Sequence, residues 1–232
     1  MKPRKNNIDS FQTELGKVDF ILIISTDADV TKLGDRIIIK TLSYFIEIIA
    51  FDNLKEWVRE DFSVETSMGW IIRVIKINDL KEDISIQCLL NPKDENISSD
   101  IDSGEHLNAL WIENDTYVVS IGTEDGEVMK YRAKVNDWMP SRFQNVLGYQ
   151  GNSELSFTNY LDFGLNTTLP ELRNGEKIYF HYLVATNKRK KSKYHPNEDD
   201  ISTNYAVDFF KETIIEKLKI KELQLFNPNT TK

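Results

Sequence analysis

The residues of this chain that could do chemistry are three histidines, one cysteine, an acidic segment and a lysine-rich run. His106, His181 and His195 lie far apart, and Cys88 is the sole cysteine, so no ligand set for a structural zinc is legible. His195 stands beside Tyr194 and Pro196, with Asp199 and Asp200 close by, which makes it the best acid/base candidate. Asp94, Glu95, Asp100, Asp102 and Glu105 form an acidic stretch with no basic residue between them. Asp100-x-Asp102-x-Gly104 has the start of a calcium-loop spacing, but the remaining oxygen ligands are missing and the flanks read as strands. The alternatives are a solvated acidic loop or a patch for a basic partner protein. Opposite in sign, Lys188, Arg189, Lys190, Lys191 and Lys193 crowd into one short segment. Such a run reads either as a solvated hairpin tip or as a contact for an anionic partner.

A further pair of carboxylates follows the apolar run Phe20–Ile24. Asp27-Ala28-Asp29-Val30-Thr31 resembles the first motif of the haloacid dehalogenase superfamily, Asp-x-Asp-x-Thr/Val. The resemblance implies a parallel α/β sheet and magnesium-dependent chemistry on phosphate esters. Asp27 would be the nucleophile and Asp29 the acid/base. It covers only these few residues, and Val30 stands where glycine is common. The other reading of the segment is a polar turn after a strand.

The elements that must carry these groups are mostly strands. Ile84, Ile86, Cys88 and Leu90 alternate with Ser85, Gln87 and Leu89, the period of a strand with one face buried, and place Cys88 in the core. Val18–Ile24, Trp70–Ile77 and Glu176–Ala185 read as strands, and Arg36–Phe51 as strands rather than a helix. Leu110–Glu113 and Thr116–Gly122 flank a turn at Asn114-Asp115, with Glu127–Ala133 as a third strand of a meander. Ser202–Asp208 is expected to pair with Glu176–Ala185 across a polar loop of about 15 residues. Helices are expected near 53–60 and 209–225. Trp70 and Trp111 read as core, whereas Trp138 ends a strand and is the best candidate for an exposed aromatic. His181 reads as a half-buried sheet residue.

The expected fold is therefore mainly β (α+β), an antiparallel β-sandwich or barrel-like sheet in a single domain spanning 1–232, with a possible seam near 138–151. Lys and Arg total 29 against 37 Asp and Glu, a formal charge of −8, which argues against a general nucleic-acid binder. Nucleotide-binding glycine loops, a Gly-x-Ser-x-Gly elbow and His-Glu-x-x-His are all missing from the sequence. The basic start, Met1 to Lys5, runs into Asn6-Asn7 without an apolar stretch, so a cytoplasmic location is expected. No cofactor and no metal site are expected.

These features favour a non-catalytic protein that binds, and neutralises or regulates, a basic protein partner. In general character the chain is similar to bacterial immunity or antitoxin proteins. The residues expected at such an interface are Asp94, Glu95, Asp100, Asp102, Glu105, Trp138 and the basic residues Lys188, Arg189, Lys190 and Lys191. The alternatives are a magnesium-dependent phosphate-ester hydrolase using Asp27 and Asp29, and a sugar- or ligand-binding β-sandwich using Trp138.

Overall fold

Alternating burial organises the chain, as the period-two pattern predicts. The computed structural model describes residues 3–52, 64–102, 107–145, 147 and 157–208. Its strands are β1 (Arg4–Gln12), β2 (Gly16–Ile24), β3 (Asp29–Leu33), β4 (Arg36–Lys40), β5 (Tyr44–Asp52), β6 (Thr66–Lys76) and β7 (Ile84–Pro92). Then follow β8 (Ser98–Asp102), β9 (Leu107–Glu113), β10 (Tyr117–Glu124), helix α1 (Gly126–Lys134), β11 (Thr158–Leu161), β12 (Gly164–Thr168) and β13 (Lys177–Lys188). A second helix, α2, covers 202–208. The expected helices near 53–60 and 209–225 lie outside the described residues.

Two antiparallel sheets result. One has five strands in the order β1-β2-β7-β12-β11, and the other has eight in the order β3-β4-β5-β6-β13-β10-β9-β8. The smaller sheet turns Val18, Phe20, Leu22 and Ile24 inward beside Ile84, Ile86, Cys88 and Leu90. The larger sheet answers with Ile46, Ile48, Trp70, Ile72, Phe180 and Tyr182. Phe20 joins the two layers. It stacks on Trp70 at 5.1 Å and meets Tyr182 edge-on at 5.9 Å. The polar atoms of this cluster are satisfied: the Trp70 indole donates to Asp9 at 2.9 Å, and the Tyr182 hydroxyl meets Thr167 at 2.6 Å. Met139, Phe143 and Leu147, at the suspected seam, pack into this same core.

Two expected strands are helices instead. Glu127–Ala133 forms α1, because Asp125 caps it by accepting from the Val128 N–H at 2.9 Å. Glu127 in the first turn and Arg132 and Lys134 in the last complement the helix dipole. The alternation of Val128, Lys130 and Arg132 with Met129, Tyr131 and Ala133 was accidental, since Met129, Arg132 and Ala133 are the buried residues. The meander therefore reduces to the β9–β10 hairpin. Ser202–Asp208 is α2, begun by Asp200, whose carboxylate accepts from the Ser202 N–H at 2.8 Å. β13 instead pairs with β6 and β10.

Replacing Asp125 with alanine removes the α1 cap and is expected to destabilise the protein by about 1 kcal/mol. Urea unfolding followed by circular dichroism reads this as a lower midpoint with an unchanged slope.

Candidate functional site

The outer face of the eight-stranded sheet carries charge where a sandwich would ordinarily meet solvent. β5 and β6 place Glu47 directly opposite Arg73, and both side chains are fully buried and ion-paired. Arg36 on β4 reaches Glu47 at 3.1 Å. Further along the face, Glu124 at the end of β10 accepts from Arg132 of α1 at 2.5 Å and lies 3.4 Å from the Nδ1 of His181. His181 is fully buried rather than half-buried. Burial alone would raise the Glu124 carboxyl, but Arg132 and His181 outweigh it and hold it below the usual carboxylate range. The Arg132 guanidinium also stacks on the Tyr179 ring at 3.4 Å and donates to the Tyr179 carbonyl at 2.7 Å. This network fastens α1 to the sheet.

Asp27 and Asp29 sit apart from any such network. Asp27 lies in the β2–β3 connection with its side chain 87% exposed and ion-paired to Arg4, while Asp29 opens the exposed edge strand β3. β2 pairs antiparallel with both β1 and β7. The resemblance to the dehalogenase motif therefore does not extend to the fold, which requires parallel strands with helical crossovers. His195 is exposed, and its neighbours Asp199 and Asp200 are engaged by other residues. Among the described residues, no group of three or more His, Cys, Asp or Glu is placed to hold a metal ion. Cys88 is buried, and burial pushes its thiol far up.

The two charged segments behave differently. Lys188 lies 4.0 Å from Glu65, and Lys190 lies 3.5 Å from Asp200. Arg189 pairs with Asp199 at 2.9 Å and Glu113 at 3.4 Å, and Lys191 pairs with Asp199 at 2.7 Å. Hydrogen bonds from Lys191 and Arg189 hold the Asp199 carboxyl below its ordinary value. The loop that looked long is a tied tongue, with a β-bridge from Lys191 to Asp199 and the Asp200 N–H donating to the Lys190 carbonyl. The basic charge is largely matched within the chain.

On the acidic side, Asp94, Glu95 and Asp100 are exposed and Asp102 is half-buried; Glu105 and His106 lie outside the described residues. Asp100 and Asp102 belong to β8, which ends the larger sheet with no further strand beyond it among the described residues. Asn204 of α2 donates to Asp102 and accepts from Ser120 at 2.5 Å, so the helix, β10 and β8 are linked. Burial, with Asp100 and Asp208 adding their like charges, raises the Asp102 carboxyl. A cavity of about 360 Å³ lies here, lined by Asp102, Asp208, Leu107, Ala109, Asn204 and Tyr205. Ile101 and Tyr205 are more than half exposed beside it. Sequence reasoning found the acidic stretch but missed α2, whose Tyr205 and Asp208 complete the patch.

Trp138 is half-buried in the turn after α1, not at a strand end, and Trp111 is half-buried on the outer face rather than in the core. The Trp138 ring meets Tyr179 edge-on at 6.2 Å and lines a separate cavity of about 450 Å³.

No protein-family model and no curated protein sequence matches the chain. Among solved structures, a chain described as a kojibiose phosphorylase from the human microbiome is similar at a TM-score of 0.34 and 10% identity. The match covers 97% of this chain and 29% of that one, so this chain spans under a third of its length. A likeness at that level carries no argument about function. No helix among the described residues is long and apolar enough to cross a membrane.

Glu124→Gln removes the charge that Arg132 and His181 face, and is expected to cost about 3–5 kcal/mol at neutral pH. Because the folded-state carboxyl is held below its ordinary value of 4.5, the stability it contributes is present above that pH and is lost as pH falls. Urea midpoints measured from pH 7 to pH 3 should show the gap between wild type and variant closing below about 4.5. A gap constant with pH would contradict the assignment.

Proposed function

We propose that this protein is a non-catalytic binding protein whose acidic β8 edge engages a basic protein partner, in the manner of an immunity or antitoxin protein. One observation supports this reading above the others: negative charge is crowded at the β8 edge, while the basic run is matched internally. Like charges held close together cost free energy in the free protein, and a cationic partner segment relieves that cost on binding. Ile101, Ile201 and Tyr205 add exposed apolar surface to the same edge, which suits a partner segment carrying both basic and apolar side chains. Among the described residues no strand pairs with the outer edge of β8, to which an extended segment can add as a strand.

The partner is a protein rather than a nucleic acid, because a polyanion would be repelled by a surface of net charge −8. Cytoplasmic action and a single β-rich domain belong to the same reading; the lone buried Cys88 suits a reducing compartment. The phosphate-ester hydrolase loses ground to it, since Asp27 is exposed and ion-paired to Arg4.

The test is capture of the partner from extract of the source organism, with the wild type compared against a fourfold variant. Asp94→Lys, Glu95→Lys, Asp100→Lys and Asp102→Lys together are expected to abolish retention of a basic protein that high salt also releases. Thermal melting of the variant confirms folding. Retention undiminished in a folded variant would remove this mechanism.

A further inference from the structure

Trp138 adopts a backbone conformation that its side chain does not favour. Its φ is +50° and that of Asn136, two residues earlier, is +53°. Asparagine tolerates the left-handed region, but a bulky tryptophan there is strained. The surroundings impose the strain. Arg132, buried against Glu124, donates through Nε to the Asp137 carbonyl at 3.3 Å and through Nη2 to the Trp138 carbonyl at 3.4 Å. Tyr179 backs the indole edge, and the Arg73 guanidinium lies 5.7 Å from the ring centroid. The ring is thus fixed from behind by the same charged network that fastens α1. Strain held in this way is a feature of preorganised binding sites.

Trp138 lines the cavity of about 450 Å³, within the range that takes small ligands. Its charged lining is Arg142, Arg173, Lys177 and Glu176, three cations to one carboxylate on a protein of net charge −8. Lys177, also in the lining, holds its ammonium 4.5 Å over the Trp138 ring. Arg142 grips Glu176 through Nη2 at 2.7 Å and Nε at 2.9 Å, and its Nη2 also donates to the Glu171 carbonyl at 2.5 Å. Burial alone would raise the Glu176 carboxyl, but the bonds from Arg142 and the Arg173 N–H hold it below the usual range. Glu176 is therefore a standing acceptor beside a standing donor. The turn that presents Arg173 is closed by Gly175 at φ +80°, with the Gly175 N–H donating to the Lys76 carbonyl at 2.9 Å.

From this geometry we infer that the Trp138 cavity binds a sugar carrying one anionic group, a carboxylate or a phosphate. Trp138, its ring held against the Lys177 ammonium, forms a wall of the cavity, and the fixed Arg142–Glu176 pair serves vicinal hydroxyls through the remaining Arg142 N–H groups and Glu176 lone pairs. The anionic group takes Arg173 and Lys177: Arg173 acts on Glu176 through space, and the Lys177 ammonium lies over the Trp138 ring. An anion without hydroxyls would make no use of the Arg142–Glu176 pair, and a neutral sugar would leave the excess positive charge of the lining, three cations to one carboxylate, unmatched. The site shares no residue with the β8 edge and stands or falls separately from the partner reading.

Isothermal titration calorimetry on the full chain tests it, with glucuronate, glucose 6-phosphate, glucose and inorganic phosphate as probes. One of the two acidic sugars is expected to bind saturably and at least tenfold more tightly than glucose or inorganic phosphate. Arg173→Ala and Lys177→Ala, both at exposed positions, are each expected to weaken that binding at least tenfold while leaving thermal melting unchanged. Three results would each overturn the inference: no binding of either acidic sugar at millimolar concentration, inorganic phosphate binding as tightly as the better sugar, or wild-type affinity in both variants.

Discussion

Strands β6 and β13 have no solvent face through their central stretches. Every residue from Gly69 to Val74 and from Ile178 to Asn187 is buried, so side chains on both sides of the pleat must be accommodated. The inner side is ordinary sandwich packing around Phe20, Trp70 and Tyr182. The outer side includes Glu47, Arg73, His181 and Glu124, groups that are costly to bury unless paired. Register solves half of that problem by setting Glu47 opposite Arg73. The other half requires Arg132, which can reach Glu124 only if α1 packs across the sheet.

Both candidate binding regions depend on how this outer face is covered. α1 brings Arg132 to Glu124, and the same guanidinium then holds the backbone of Asp137 and Trp138. On the same strand, α2 sits so close to β10 that a Cβ on Gly122 would come within 2.4 Å of Val207. That approach lets Asn204 bridge Ser120 and Asp102, drawing the acidic strand edge and the helix into one surface. Structural pairing inside the protein thus positions groups that face outward.

How much of this was legible in the sequence depended on whether the deciding contact was local. Alternation in Val18–Ile24 and Ile84–Leu90 identified β2 and β7, because each has one face on the core and one toward solvent. Arg36–Phe51 was ambiguous because β5 is buried on both faces and loses its alternation, which β-branched content alone resolved toward strand. Glu127–Ala133 mimicked a strand by accident of order. The Asp125 cap and the run of good helix formers were the signal that should have prevailed. His181 gave no warning of its burial, since its charged neighbour Glu124 lies on a different strand. The exposed aromatic expected at Trp138 is a half-buried ring beside a cavity. Its cavity is built from β13, the turn before it and the segment after α1, a juxtaposition that only the fold creates.

Charge shows the same division between local and long-range information. The basic run Lys188–Lys193 was the most conspicuous feature of the sequence, yet partners elsewhere in the chain engage most of it: Glu65, Glu113, Asp199 and Asp200. The acidic stretch was less conspicuous and is the one left crowded, with Asp208 brought to it by α2. The most direct measurement is a carbon-13 NMR titration of the aspartate carboxyls in the free protein. Asp102 is expected to titrate above the ordinary aspartate value and Asp199 below it. The reverse order would show that the acidic edge is already balanced and the basic segment is not, contradicting the proposed docking surface.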